Sequence, residues 1–301
     1  MSSRFFLYVT LGVVFIVMCV IEAECSSVQA AIKSQQDQGI YQSGVRNSFD
    51  EHALSVTELN LVLNQLRKKT GFVRMRFDSA GFLRIDDRQD FVGGSAWARE
   101  LVLAAIDGKK AVVLQSHHRS EEIGFARRGL ETHSEHWRTA LQIIATPIEI
   151  DFEDFKHLHG NSEAIAAFDL GFVILHELCH AVLGLSDFSA KLNPAGNCEN
   201  YVNRIRRELG VPERQQYAAN VSLKKMFSFG PSVETATLHF LKTKPGRRPG
   251  SRVKTKTLFL RWEVKLVGGE SGHFALPKRR SKSDSEIARQ ESALQVISRE
   301  K

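Results

Sequence analysis

A chain of 301 residues with 43% hydrophobic and 25% charged content is long enough for one good-sized core with appendages, and its composition is that of a globular protein. Four cysteines exclude a disulfide framework. The formal net charge of +7 does not describe the whole chain: residues 242–283 hold 13 Lys/Arg against two Glu, and the rest is slightly acidic.

Arg4 is followed by an uncharged apolar run, Phe5 to Ile21. That is long for the apolar region of a signal peptide and short for a spanning helix. Both readings carry the remainder out of the cytoplasm, and Glu22 and Glu24 after the run suit an N-terminus-inside orientation. Residues 1–30 are therefore expected to be a cleaved signal peptide or a membrane anchor, with 5–21 as the tether. The expected location is secreted, periplasmic or membrane-anchored. Residues 31–50, polar and rich in Gln and Ser, read as a linker.

Leu54 to Leu66 has helical spacing. Phe72–Phe77 and Phe82–Ile85 alternate around Asp78-Ser79-Ala80-Gly81 and predict a hairpin. Ser95 is a fair N-cap for a helix running to Asp107-Gly108, and Ala111–Gln115 and Ile148–Phe152 read as strands. His117-His118 and His157-x-His159 are weak metal signals at loop positions.

The apolar run Ala164 to Leu185 contains His176-Glu177-Leu178-Cys179-His180, an H-E-x-x-H motif. Two histidines four residues apart on a helix are separated by about 400° of rotation and about 6 Å of rise, so both imidazoles leave one face and can share a Zn²⁺. Glu177 stands where it can act as general base. The surrounding helix is apolar nearly all round, as a buried helix is.

Zinc needs a third protein ligand and an open position. The metzincin spacing fails, because Ser186 stands where its third histidine would be. Asp187 comes one position late for that geometry. Glu199 is the favoured ligand. It opens a second helix, Cys198 to Leu209, beside the apolar stripe of Cys198, Val202, Ile205 and Leu209, and Gly210 and Pro212 end that helix. Asn203 lies one turn on, where its side chain could fix the tautomer of a ligand histidine. Cys179 and Cys198 are read as small packed apolar residues; a bridge between them, or Cys198 as a ligand, stays open.

This layout resembles the gluzincins, in which H-E-x-x-H on one helix is completed by a glutamate on the next. The resemblance implies that His176, His180 and Glu199 hold zinc, that Glu177 is the base and that Asn203 orients a histidine. The words around Glu199-Asn200 and Asn203 to Pro212 are also similar to bacterial zincin domains related to secreted effectors and polymorphic toxins. Together the resemblances cover roughly residues 146–217. Tyr217 and His239 are candidates for an oxyanion helper.

Beyond residue 230, Thr235–Leu241 and Lys256–Val267 look like strands joined by a Pro/Gly/Arg loop. No nucleic-acid motif accompanies the basic residues, so nucleic acid is not an expected partner. The expectation is an α+β, zincin-like fold with a buried active-site helix beside a small mixed sheet. Residues 51–225 form the metallopeptidase domain, 226–283 a basic strand-containing extension and 284–301 a polar tail. The expected activity is Zn²⁺-dependent hydrolysis of a protein or peptide substrate. The alternative is a binding or scaffold protein that zinc stabilises, without proteolytic activity.

Overall fold

A computed structural model describes residues 43–135, 142–187, 194–225, 232–244 and 254–267. The apolar run at 5–21 and the tail at 284–301 lie outside the described residues. The fold is α+β: helices pack between a mixed sheet and an antiparallel one.

The mixed sheet has β1 (Gly44–Asn47), β4 (Ala111–His117) and β7 (Gln142–Asp151) side by side and parallel. On the far side of β7 lie β5 (Ala126–Arg128) and β6 (Thr132–Glu135), both antiparallel to it. β1 corrects the expected linker at 31–50. Its four residues form the other edge of this sheet, and Val45 is in the core.

Helix α1 (Val56–Thr70) starts at a capping box. Ser55 Oγ accepts from the Glu58 amide, and the Glu58 carboxylate accepts from the Ser55 amide. The helix ends on Gly71 at φ 81°. The expected hairpin forms as β2 (Met75–Phe77) with β3 (Leu83–Ile85). Helix α2 (Ala96–Asp107) begins at Ser95, as the sequence predicts.

The long apolar run is not one α-helix. A short α3 (Ser162–Ala166) gives way at Ala167, and Asp169 caps a new helix, α4 (Leu170–Leu178), by accepting from the Phe172 amide. Asp169 also pairs with the buried Lys69 of α1 at 2.6 Å. Every residue of α4 is buried. Each fully buried leucine or phenylalanine on it contributes about 1.5–3 kcal/mol. The stretch 162–183 is long and apolar enough to cross a membrane, but most of it is enclosed by this fold, as a core helix is. The chain continues as a π-helical turn, Cys179–Leu183, and stops at Gly184 with φ 64°.

Helix α5 (Gly196–Glu208) lies against α4 and α2. The antiparallel sheet follows the order β10 (Asn220–Lys225), β11 (Ser232–Lys244), β12 (Lys254–Glu263) and β8 (His159–Gly160), with β9 (Glu213–Arg214) also on β11. Leu238, Phe240, Leu258, Leu260 and Trp262 from β11 and β12 share one cluster with Phe125, Phe168 and Val173. The boundary expected at 225 is therefore not a structural one. The basic hairpin is part of the wall beside α4.

A close backbone approach fixes how α1 meets α2. Gly94, at φ 71°, lies against the end of α1, and a Cβ there would sit 2.2 Å from the Thr70 carbonyl carbon. Gly94→Ala is expected to destabilise the fold by more than about 2 kcal/mol, from left-handed strain plus a backbone clash. Urea unfolding of the variant beside wild type measures this.

Candidate metal centre

His176 sits in α4 and His180 in the π turn, and their Nε2 atoms approach to 3.2 Å. Asp187 reaches both. Its Oδ1 is 3.1 Å from His176 Nε2 and its Oδ2 is 2.7 Å from His180 Nε2. Among the described residues, this trio is the group of three whose ligand atoms converge in a way that could hold a metal ion. Ligands about 2.0–2.1 Å from a tetrahedral ion lie about 3.3–3.4 Å apart, so the 3.2 Å between the two imidazole nitrogens is close to what zinc requires, and Asp187 offers an oxygen to each ring. Asp187 Oδ1 is buried and makes no aligned hydrogen bond, which fits a carboxylate that faces a cation site.

The π turn explains why Asp187 arrives here although the sequence places it one residue late. A π turn takes up one residue more than an α turn, so the extra position is absorbed before Gly184. Gly196 then lets α5 begin against the Asp187 backbone. A Cβ there would stand 3.1 Å from it, at φ 77°.

Glu199, the ligand the sequence favours, lies outside this trio. It lies on the other nitrogen of His176, with Oε2 3.2 Å from Nδ1. That nitrogen has no aligned hydrogen bond, so the contact is an attraction of charge rather than a directed bond. Both oxygens of Glu199 are already engaged: Arg206 donates to Oε1, and Arg214 Nη1 donates to Oε2 at 3.0 Å. Two buried guanidiniums thus hold the carboxylate on the Nδ1 side of His176.

Asn203 is also displaced from its expected role. Its side chain accepts from Arg206 Nη1 and from the Arg214 amide and donates to the Arg214 carbonyl. No hydrogen bond joins it to either histidine. The tautomer of His180 is fixed instead by Leu185, whose carbonyl accepts from Nδ1 at 2.7 Å and leaves Nε2 for the metal side. Cys198 Sγ lies 3.2 Å from the same Nδ1 and donates to the same carbonyl. Both Cys179 and Cys198 are free and buried. Hydrogen bonding to Cys179, with burial, raises the Cys198 thiol and makes it a poor metal ligand.

The charges follow from this layout. Burial disfavours a protonated His180, but the Asp187 carboxylate overrides it and pushes His180 up to about 10. His176 is likewise held well above the ordinary range, against burial, by Asp187 and Glu199. Asp187 is held low despite its burial, because two imidazoles face it. Glu199 is held well below the usual carboxylate range, against burial, by Arg206 and Arg214. The trio attracts positive charge, which protons supply in the metal-free protein and which a divalent cation would replace.

Glu177 is 7% exposed. Burial raises its pKa, and the nearby imidazoles offset part of that. It accepts from the backbone amide of Arg128 in β5. Beside it lies a cavity of about 50 Å³ whose walls include His176, Phe125, Phe168 and Tyr217. Phe125 holds φ 63°, a strained value for a phenylalanine, with its amide tied to Asp154 Oδ2 at 2.8 Å.

The Tyr217 ring stacks on His176 at 5.7 Å, and its hydroxyl is in hydrogen-bonding reach of Asp187. His239 is elsewhere. It alternates with Leu238 and Phe240, which point into the core, so it occupies the opposite face of β11 and does not line the cavity.

No family model, curated protein or solved structure matches this chain. The site must be read from its own geometry.

Asp187→Ala is expected to weaken zinc binding far more than Glu199→Gln. The first removes a ligand. The second alters a residue that holds a ligand, which typically costs about 10–100-fold. Metal analysis and chelator competition on both variants separate the two.

Proposed function

We propose that this protein is a zinc-dependent hydrolase of peptide bonds, with His176, His180 and Asp187 as ligands and Glu177 as general base. The observation that carries this reading is Glu177. A site that only stabilises a fold needs no further, unliganded carboxylate beside its ligands. Here one stands next to them, buried, with a raised pKa and open space beside it. A water needs about 10–15 Å³, so the cavity of about 50 Å³ that Glu177 helps to line has room for one.

Zinc, when bound, lowers the pKa of a coordinated water to about 7 and polarises a carbonyl. Glu177 takes the proton from the attacking water and then delivers it to the leaving nitrogen. Its raised pKa suits both halves of that transfer. The Arg128 amide keeps the carboxylate in place between the two steps. Tyr217, stacked on His176 with its hydroxyl near Asp187, would donate its hydroxyl hydrogen to the negative oxygen that develops on the carbonyl.

The substrate class follows from β5. It is the end strand of its sheet, and the Arg128 amide on its unpaired side donates to Glu177. An extended peptide laid along that edge would bring a peptide bond to Glu177. The uncharged run at 5–21 supports a setting outside the cytoplasm.

Glu177→Gln is expected to lower turnover of a cleavable peptide by about 10²–10⁴-fold while zinc content and thermal stability barely change. Wild-type turnover in that variant would leave only the scaffold reading.

A further inference from the structure

The buried charge network behind His176 has a single residue at its junction. We infer that Arg214 is a positioning residue that locks the ligand His176 and the Tyr217 ring with one guanidinium. The inference rests on the reading of the site as a zinc centre.

Arg214 belongs to β9, a two-residue strand on β11, and its side chain is 5% exposed. All three guanidinium nitrogens are used. Nη1 donates to Glu199 Oε2, the same oxygen that lies against His176 Nδ1. Nε donates to the Gln216 carbonyl at 2.9 Å, and Nη2 donates to the Tyr217 carbonyl. The guanidinium carbon also stands 5.3 Å from the centre of the Tyr217 ring. One planar group thus fixes the carboxylate on one edge of His176 and the main chain of the residue stacked on its face.

The anchor is itself anchored. The Asn203 side chain bonds both the amide and the carbonyl of Arg214, at 2.8 Å each, which ties β9 to α5 at the level of Glu199. Arg206 takes the other Glu199 oxygen and Asn203 Oδ1. Glu199 cannot turn toward the trio without breaking these contacts, so it stays on Nδ1 and leaves Nε2 as the metal-binding atom. A lysine could replace the charge of Arg214 but not its three-point fork.

The test uses the full chain, zinc alone and chelator competition, with circular dichroism to check the fold. Arg214→Lys is expected to bind one zinc at least about 10-fold more weakly. Arg207→Lys is the control. Arg207 makes an exposed fork with Glu213 between the same two elements, and its replacement is expected to leave zinc affinity unchanged. If Arg214 acts through Glu199, adding Arg214→Lys to Glu199→Gln costs less than about twofold more. A residue that merely stabilises the fold would add its full effect in that double variant. Should Arg214→Lys not fold, Asn203→Ala, which frees the Arg214 main chain and keeps the charge, enters the same cycle with the same expectation. Unchanged affinity in the folded variant, or full additivity with Glu199→Gln, overturns the clamp. A wild type that takes up no zinc overturns the zinc reading beneath it.

Discussion

A buried helix and the π turn after it, which together carry two histidines and a glutamate, force the surrounding fold to compensate. Polar groups taken out of water cost free energy unless each finds a partner. The solution here is layered. Asp187 serves both imidazole Nε2 atoms, the Leu185 carbonyl and Glu199 serve the Nδ1 atoms, and the Arg128 amide serves Glu177. Glu199 in turn needs Arg206 and Arg214, because a lone buried carboxylate would protonate. Breaking such a buried pair from one side typically costs about 3–5 kcal/mol. Much of the fold around α4 exists to complete this set.

The compensation explains two features that otherwise look decorative. The hairpin of β11 and β12 closes the apolar side of α4 and carries β9, which delivers Arg214. The π turn and the two glycines after it, Gly184 and Gly196, bring Asp187 back over the helix it has just left. Both features lie outside the H-E-x-x-H motif, and both are needed to make its residues converge.

The sequence made the helix, the motif and the buried character of α4 legible, because spacing and apolar periodicity are local properties. The hairpin at Met75–Ile85, the Ser95 cap and the placement of Glu199 on the inner face of α5 were legible for the same reason. The approach of Asp187 to the two histidines was not. Counting residues in α-helical turns puts Asp187 one position late, and nothing in the sequence marks the change from α to π. Arg206 lies seven residues after Glu199 and so shares its face, a signal that was available. Arg214 was beyond reach, since a two-residue strand has no periodicity and its position is set by β11. The same applies to the boundary at 225: basic composition suggested an appendage, while alternate apolar residues in the strands were building a core.

In the proposed centre Asp187, not Glu199, is the third ligand. The most direct measurement is a crystal structure of the zinc-loaded protein with anomalous diffraction at the zinc edge. The account expects one peak about 2.0–2.2 Å from the Nε2 atoms of His176 and His180 and from an Asp187 oxygen, with Glu199 still on His176 Nδ1. A peak coordinated by Glu199, with Asp187 turned away, would contradict it.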